Sequence, residues 1–351
     1  MKPLRIAMVS YYMPSESKLG TGHQVHALAN ALADRGHEIT VFTRCRPSAG
    51  ALYSTQTVGV EGSLRTFKFA SHLRRMDWSD FDVLHAHSSD FLLSGKTKPP
   101  HVRTVHGSSL REAIHIRGPR ARAAMLYYAA CEITATVIAD TSVAVSRNTQ
   151  AWLPWVRTRI PNGVDLSRFS PGEKSSNPSI LFVGTYFQRK RGWLLADVFE
   201  RDILSRVPDA ELWLVSEDAP ARPGMTIFPR LPEADLQDLY RRAWVFCLPS
   251  TYEGFGIPYI EAMASGTPVV ATPNAGAIEV TENGRYGAIV ADDGLPDALL
   301  ALLQSSSARE RLAADALRHV QKYSLASVAE SYESLYFRLA GSPRGAARSG
   351  P

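Results

Sequence analysis

Apolar runs of strand length alternate along this chain with stretches whose apolar residues recur at helical spacing. Residues 5–10 form the first run, and the stripe Val25, Leu28 and Leu32 is typical of an amphipathic helix. A second apolar run, residues 38–43, follows it. Strands and helices that alternate in this way predict βαβ units and parallel sheets. Similar runs recur at residues 102–107, 137–146, 179–183, 211–215, 226–231, 244–248 and 267–271, with helices predicted at 193–199, 235–243, 295–323 and 327–339.

Residues 247–272 combine this alternation with a glycine-rich loop. Pro258 is placed for the first turn of a short helix and Gly266 is placed to end it. Such a helix start offers backbone N–H groups and a favourable dipole to an anion. Glu253 and Glu261 flank it, and a carboxylate accepts hydrogen bonds from hydroxyl groups but repels phosphate. A turn with two surface glutamates is the simpler interpretation of either residue alone. Together they suggest a ligand with phosphates and hydroxyls, such as a sugar nucleotide.

This stretch resembles the E-x7-E signature of retaining glycosyltransferases of family four, which have the GT-B fold. The positions that carry the resemblance are Glu253, Gly254, Phe255, Gly256, Pro258, Glu261, Ala262, Met263, Ala264, Gly266, Pro268 and Val269. The resemblance implies an α/β protein with two Rossmann-like domains whose mostly parallel sheets face an interdomain cleft. It also implies transfer of a sugar from a nucleoside-diphosphate sugar to an acceptor hydroxyl with retention of the anomeric configuration, an activity of EC 2.4 type.

The boundary between the two domains is predicted from a second matching string. Residues 159–171 resemble the family segment that links the domains, and residues 173–178 have the polar composition of a linker. Residues 1–170 are therefore expected to bind the acceptor, and residues 171–340 the nucleotide sugar, with the last helix able to cross back onto the first domain. Residues 341–351 are rich in Gly, Ser, Arg and Pro, which predicts a disordered tail.

The resemblance implies roles for individual residues of the second domain. Glu261 would accept hydrogen bonds from the ribose hydroxyls, and Glu253 would hold the donor sugar near its reacting face. The strand end at Arg230 and Leu231 would present its backbone to the nucleobase. The backbone N–H groups expected to line the sugar and the phosphates belong to Gly254, Phe255, Gly256 and Ile257.

The loop after residues 179–183 departs from the family pattern. An arginine is usual after the glycine, and this chain has Thr185 there, which offers one hydroxyl and no charge. Arg189, Lys190 and Arg191 follow, and all three are candidate donor-site residues because cations between a strand and a helix suit a diphosphate. An ungapped alignment makes Arg191 the first choice to stabilise the leaving diphosphate, and a one-residue shift makes Lys190 the second. Arg189 is expected to face solvent.

Histidines mark strand ends in the first domain. His106 stands at the carboxyl end of an apolar run, where open α/β sheets bind ligands, and it matches the family's strand-end histidine near the donor sugar. His85 and His87 lie at an earlier strand end, but no further ligand cluster stands near them, so no metal site is predicted. At the first helix, Gly20 matches the second glycine of the family's opening pair, where Leu19 replaces the first.

Composition narrows the setting. The chain has 351 residues, of which 45% are apolar and 21% charged, as in globular proteins. No apolar run reaches the ~18–20 residues of a membrane span, and the first residues do not resemble a signal peptide. Three widely spaced cysteines predict neither a disulfide framework nor a zinc site. A cytoplasmic location is therefore expected.

Positive charge is concentrated in the first half of the chain. Residues 1–165 hold 20 lysines and arginines against 12 acidic residues, whereas the remainder holds 19 against 22. This balance suits an anionic acceptor or peripheral contact with an anionic membrane, and ordinary solvation explains it equally well. Arginines interleaved with apolar and aromatic residues at 111–130 are typical of a membrane surface helix, or of an exposed helix near the acceptor.

The expected partners are a nucleotide-sugar donor and a small-molecule, glycan or lipid-linked acceptor, without a cofactor, a metal or a nucleic acid. Three other functions share many of these features: a GT-B sugar-nucleotide epimerase, a GT-B phosphorylase and a non-catalytic sugar-nucleotide binding protein. An epimerase turns over without an acceptor, and a binding protein releases no nucleoside diphosphate when acceptors are supplied.

Overall fold

The computed structural model describes residues 2–16, 20–93, 99–115, 118–229 and 231–341, without the side chains of Glu112 and His115. The chain divides into two compact units. The first unit contains the chain up to Gly163 and again from Leu325, and the second unit is Val164–Ser324. The predictions for Arg230 and for residues 342–351 lie outside the described residues.

The first unit is built on a seven-stranded parallel sheet. Its strands are β1 Arg5–Val9, β2 Glu38–Thr43, β3 Ser54–Thr57, β4 Val83–Ala86, β5 His101–Val105, β6 Thr141–Ala144 and β7 Thr158–Arg159. Their order is β3-β2-β1-β4-β5-β6-β7, so the chain progresses away from β1 first on one side and then on the other. In open α/β sheets, ligands bind beyond the carboxyl ends of the strands at such a switch point.

Helices cover both faces of this sheet. They are α1 Gly20–Asp34, α2 Arg65–Leu73, α3 Ser109–His115, α4 Pro119–Ile138, α5 Arg147–Trp152 and a C-terminal helix, Leu325–Gly341. Ile6 and Met8 of β1 pack with α1 and the C-terminal helix, whereas Ala7 and Val9 pack on the other face with Phe69 of α2. Successive strand side chains point to opposite faces, so a strand covered on both sides is apolar throughout, as the sequence pattern indicates.

The second unit is built on a six-stranded parallel sheet. Its strands are β8 Ser179–Val183, β9 Glu211–Val215, β10 Met225–Phe228, β11 Val245–Leu248, β12 Val269–Ala271 and β13 Ala288–Ile289. Their order is β10-β9-β8-β11-β12-β13, which places the switch point between β8 and β11. The helices are α6 Gly192–Val198, α7 Glu233–Arg242, α8 Ile257–Ala264, α9 Ala275–Val280, α10 Leu295–Gln304 and α11 Ser306–Val320.

Most predicted elements are confirmed, and two regions differ. Residues 44–80, which carry no clear pattern, contain β3 and α2. Residues 137–146 do not form one strand, because α4 continues to Ile138 and β6 begins only at Thr141. No helix within the described ranges is long and apolar enough to cross a membrane.

Candidate active site

Two loops meet at the switch point of the second unit. One follows β8 and carries the cations of residues 189–191, and the other follows β11 and carries Glu253. The Thr251 N–H donates to the Arg189 carbonyl at 2.9 Å, and Arg191 Nε donates to the Pro249 carbonyl at 2.7 Å. The topology thus places the loop that carries the cations next to the loop that carries Glu253, as expected for two parts of one site.

Glu253 is a buried carboxylate held at one of its oxygens. Its Oε1 accepts from the Ser250 hydroxyl at 2.9 Å and lies 2.8 Å from the guanidinium of Arg189. The side chain is only 8% exposed, so an ionised form requires such partners. Within the described residues, both protein contacts fall on Oε1, which leaves Oε2 for a ligand.

A buried polar network supports this loop, and sequence analysis missed it. Asn274 caps α9 by accepting from the Ala277 N–H at 2.9 Å, and its amide donates to the carbonyls of Ser250 and Thr272 and to the Tyr259 hydroxyl. The network therefore ties the ends of β11 and β12 to α8 and α9. An Asn just before a helical stretch is a recognisable cap signal, but its contact with Ser250 is set by the fold.

The glycine-rich loop keeps its backbone close to its neighbours. Gly256 has φ of 97°, and a Cβ there would lie 2.5 Å from the Tyr259 ring. The loop leads into α8, whose first-turn N–H groups have no partners within the helix. Phe255 is buried and its ring packs edge-on against Tyr323. Because the Phe255 ring is buried, only the backbone of this residue can contact a ligand.

Glu261 and Lys190 form the charged interior of the site. Burial raises the pKa of Glu261 to about 7, although the Tyr240 hydroxyl and the Lys190 ammonium oppose this shift. Burial also lowers the pKa of Lys190, and the carboxylates of Glu253 and Glu261 counteract it. Lys190 Nζ donates to the Val183 carbonyl at 3.1 Å. The ammonium therefore lies at the carboxyl end of β8, within electrostatic reach of both glutamates.

The absence of a side chain at Gly184 leaves room for the Lys190 side chain to reach the end of β8. A Cβ at residue 184 would lie 2.1 Å from Cδ of Lys190, so any larger residue would displace the lysine. The neighbouring Thr185 is exposed. The loop is fixed on its other side by Asp218, which accepts from the Tyr186 N–H at 2.8 Å.

Arg191 and Arg189 each contact an acidic residue of the second unit. Arg191 precedes α6 with φ of 54°, and its guanidinium donates to the Pro249 carbonyl, to Thr272 and to both oxygens of Asp292. These contacts use all of its nitrogen atoms, which is typical of a structural clamp. Arg189 is exposed, as expected, and its guanidinium also lies against Glu253.

The nucleobase contact is predicted at the strand end that follows β10. β10 ends at Phe228, and Leu231 is a half-buried residue shortly before α7. Arg230 is outside the described residues. In the first unit, Gly20 is the exposed first residue of α1.

His85, His87 and His106 form a cluster at the carboxyl ends of β4 and β5. His106 Nε2 lies 2.9 Å from Nδ1 of His87, and the rings stack with centroids 5.2 Å apart. Burial and the charge of Arg103 lower the pKa of His106 to about 4. The imidazole is therefore neutral near pH 7. A small cavity lies beside it, lined by Gln24, Leu28, His87, His106, Pro161, Asn162, Leu325, Val328 and Tyr332.

His85 is a structural member of this cluster. Its Nε2 lies 2.8 Å from the Thr104 hydroxyl, and its Nδ1 lies 2.6 Å from the hydroxyl of Tyr336 in the C-terminal helix. Among the described residues, the histidines, cysteines and acidic residues form no group of three or more that could hold a metal ion.

The fold class is that of the GT-B glycosyltransferases. The chain superposes on sucrose-phosphate synthase from Thermosynechococcus elongatus with a TM-score of 0.79 at 21% identity, over 96% of this chain and 99% of that one. It superposes on WaaG, a glycosyltransferase of lipopolysaccharide biosynthesis, with a TM-score of 0.72 at 18% identity, over 96% and 100% of the two chains. HepE from Anabaena in complex with UDP-glucose gives a TM-score of 0.76 at 14% identity, over 96% and 100%.

The chain belongs to the family-four glycosyltransferases. Residues 20–168 match the profile of Glycosyltransferase Family 4, and residues 177–305 match that of Glycosyl transferases group 1. The phosphatidyl-myo-inositol mannosyltransferase of Mycobacterium tuberculosis is 28% identical over 97% of this chain and 98% of its own length. The D-inositol 3-phosphate glycosyltransferase of Corynebacterium glutamicum is 26% identical over 95% and 96%. The protein is thus a glycosyltransferase, and the family and α/β GT-B fold predicted from its sequence are confirmed.

Proposed function

We propose that the second unit binds a nucleoside-diphosphate sugar and that the enzyme transfers the sugar to an acceptor hydroxyl with retention of the anomeric configuration. The observation that carries the donor assignment is the arrangement at the switch point of β8 and β11. Glu253 lies in the glycine-rich loop after β11, and Glu261 lies in α8, into which that loop leads. The Lys190 ammonium, at the carboxyl end of β8, lies within electrostatic reach of both carboxylates. Hydroxyl groups suit the carboxylates, and phosphates suit the cation and the loop N–H groups.

Each residue then has a defined role in this proposal. Glu261 accepts from the ribose hydroxyls, and Oε2 of Glu253 accepts from a hydroxyl of the donor sugar. The N–H groups of residues 254–257 line the sugar and the phosphates. Lys190, rather than Arg191, is our choice for stabilising the charge on the leaving diphosphate, because the Arg191 guanidinium is already bound to Asp292. Donors fixed before the reaction stabilise developing charge most effectively. The proposal requires no metal or other cofactor.

The acceptor side of the proposal concerns the first unit. Two related enzymes are named for phosphatidyl-myo-inositol and for D-inositol 3-phosphate, which share an inositol bonded to a phosphate. We propose an anionic acceptor of this class, and a lipid-linked form of it is favoured by α4. On that helix Leu126, Tyr127 and Tyr128 are each at least 40% exposed, and exposed Arg120 and Arg122 lie one to two turns before them.

A donor screen tests the proposal. UDP, GDP and ADP, with their glucose and mannose conjugates, are added separately, and the melting temperature Tm is measured. A ligand that binds only the folded protein raises Tm by mass action. The proposed function predicts that one nucleotide series stabilises the enzyme, whereas no shift with any member contradicts the donor site.

An acceptor assay follows with the best donor. Release of the nucleoside diphosphate is measured with no acceptor, with inositol phosphate and with phosphatidylinositol vesicles. A transferase requires an acceptor for stoichiometric release, and the anomeric configuration of the product is determined by NMR. Turnover of the donor to another sugar nucleotide without an acceptor would instead indicate an epimerase.

A further inference from the structure

We propose that Arg189 is a positioning residue that neutralises Glu253 and so allows a diphosphate-linked sugar to enter beside that carboxylate. The inference rests on the proposed function, because it assigns Glu253 to the donor sugar. It explains how this chain accommodates Thr185, which brings no charge to a loop that needs one.

The need for a cation follows from the position of Glu253. The carboxylate is buried within the loop that leads into α8, whose first-turn N–H groups suit an anion. A negative charge there attracts hydroxyl groups but repels an approaching diphosphate, and the repulsion is strong where water is excluded. A cation held against Glu253 removes this repulsion and keeps the carboxylate available as an acceptor.

Three cations lie in the loop after β8, and their contacts separate them. Arg191 is bound to Asp292, Thr272 and the Pro249 carbonyl. Lys190 Nζ donates to the Val183 carbonyl. Arg189 is the member that contacts Glu253 directly, with NH1 2.8 Å from Oε1.

The contact of Arg189 also orients the carboxylate. The same NH1 donates to the Tyr252 carbonyl, and the Arg189 carbonyl accepts from the Thr251 N–H at 2.9 Å. Arg189 therefore holds the backbone just before Glu253 in two ways: its side chain donates to residue 252, and its carbonyl accepts from residue 251. Because Arg189 and Ser250 both hold Oε1, the carboxylate is oriented before a ligand reaches Oε2.

The experiment is a double-mutant cycle of R189M and E253Q, with the nucleoside diphosphate that most raises Tm of the wild type as probe. Methionine keeps much of the length of arginine without its charge. With Glu253 present, R189M should weaken binding on the order of tenfold, the effect of losing one charged hydrogen-bond partner. In the E253Q background the same substitution should have little effect, because no carboxylate is left to neutralise.

Two further measurements separate neutralisation from a loss of loop structure. The affinity for the uncharged nucleoside should be unchanged in R189M, whereas a distorted loop would weaken it too. R189K should restore most of the affinity for the diphosphate. The control R201M removes an exposed arginine that pairs with Asp202 and should change neither affinity.

The outcomes distinguish the two proposals. If no nucleotide stabilises the wild type, the donor site itself is wrong and the role of Arg189 is overturned with it. If the wild type binds but R189M is equally harmful with and without Glu253, the donor site stands and the neutralisation is overturned. No loss of affinity in R189M also overturns it.

Discussion

Glu261 carries the clearest pH dependence at the scale of single residues. Burial raises its pKa to about 7, so the carboxyl is mostly protonated at pH 6 and mostly ionised at pH 8. Ribose hydroxyls donate to the ionised form, so binding below pH 7 requires release of this proton. The affinity for the nucleoside diphosphate should therefore fall as the pH is lowered from 8 to 6, by about tenfold at pH 6. Calorimetric titration at several pH values measures it.

The control for this prediction is Glu261→Gln, which cannot titrate. Its affinity should be lower at pH 8 and should follow only the ionisation of the phosphates of the ligand. The raised pKa affects folding in the opposite direction from ligand binding. The contribution of Glu261 to the free energy of unfolding is fully present below pH 4.5 and is lost as the pH rises through 7. An identical pH profile in wild type and variant would contradict the ribose assignment.

His106 is neutral throughout the working range because burial and Arg103 hold its pKa near 4. It can offer a hydrogen bond to the reacting sugar but not a positive charge. We expect His106→Ala to lower kcat by roughly ten- to a hundredfold with a smaller change in the donor KM. Because the imidazole does not titrate there, the fold-loss should be constant between pH 6 and 8.

His85→Ala is the matched control from the same cluster. His85 bonds to Thr104 and Tyr336, so its removal should lower Tm and leave the specific activity of the folded enzyme near normal. If His106→Ala behaves in the same way, His106 is a core residue and does not face the sugar.

Single residues also show the limit of what the sequence predicts. The glutamates and glycines around α8, and the three cations after β8, could be identified because the members of each group are close together in the sequence. The partners of Arg189 and Arg191 could not, because Glu253 and Asp292 lie 64 and 101 positions further along the chain. Neighbouring cations in one loop contact different partners because the backbone turns between them. Arg191 has a left-handed φ of 54° just before α6, and the sequence does not show this turn.

At the scale of elements, the βαβ unit around α8 was predictable because its apolar runs, Pro258 and Gly266 are all local signals. β3 and α2 were not. β3 is short and only half-buried or exposed, with the sequence STQT, and α2 buries only Phe69, Ala70 and Leu73 in two turns. Their formation depends on pairing with β2 and on the sheet face beneath α2, which are tertiary interactions.

Asn274 links the start of α9 to the loop that carries Glu253. It caps α9 and donates to Ser250, beside Glu253. Asn274→Ala removes the cap, which costs about 1 kcal/mol of stability, and also leaves the Ser250 carbonyl with one donor fewer. We therefore expect a lower Tm together with a lower kcat/KM, measured by thermal unfolding and steady-state kinetics.

Ser305→Ala is the matched control for a helix cap. Ser305 accepts from the Ala308 N–H at the start of α11, so its loss should lower Tm by a similar amount. Its kcat/KM should be unchanged. If both variants lose activity in proportion to their stability, Asn274 has no specific role in holding the site.

At the scale of the whole molecule, the apolar pattern predicts the class of fold, whereas the return of the last helix to the first unit is expected only from the family resemblance. The apolar stripe of the C-terminal helix predicts that one of its faces is buried. It does not show against what. In the structure Val328, Tyr332 and Tyr336 complete the core of the first unit beside α1, and the Tyr332 hydroxyl lies 2.8 Å from that of Thr104. The apolar stripe predicts that one face of the helix is buried, but the residues that contact this face lie more than 200 positions earlier in the sequence.

The exposed residues of α4 predict that the enzyme binds anionic membranes. α4 exposes Leu126, Tyr127 and Tyr128, with Arg120 and Arg122 exposed near its start. Arginines near an anionic surface contribute about 1 kcal/mol each, so neutralising both as Arg120→Gln/Arg122→Gln should weaken binding to anionic vesicles roughly thirtyfold. Sedimentation with phosphatidylglycerol-containing vesicles measures this loss.

The control for α4 neutralises two exposed arginines of the second unit, as Arg201→Gln/Arg206→Gln. It removes the same net charge and should leave vesicle binding nearly unchanged, because attraction to a surface decays within a Debye length. Added salt should weaken binding of the wild type and of this control equally. If the two double variants lose binding alike, net charge rather than α4 is responsible. Absence of binding at low salt would leave a soluble anionic acceptor, for which inositol phosphate is the first substrate to test.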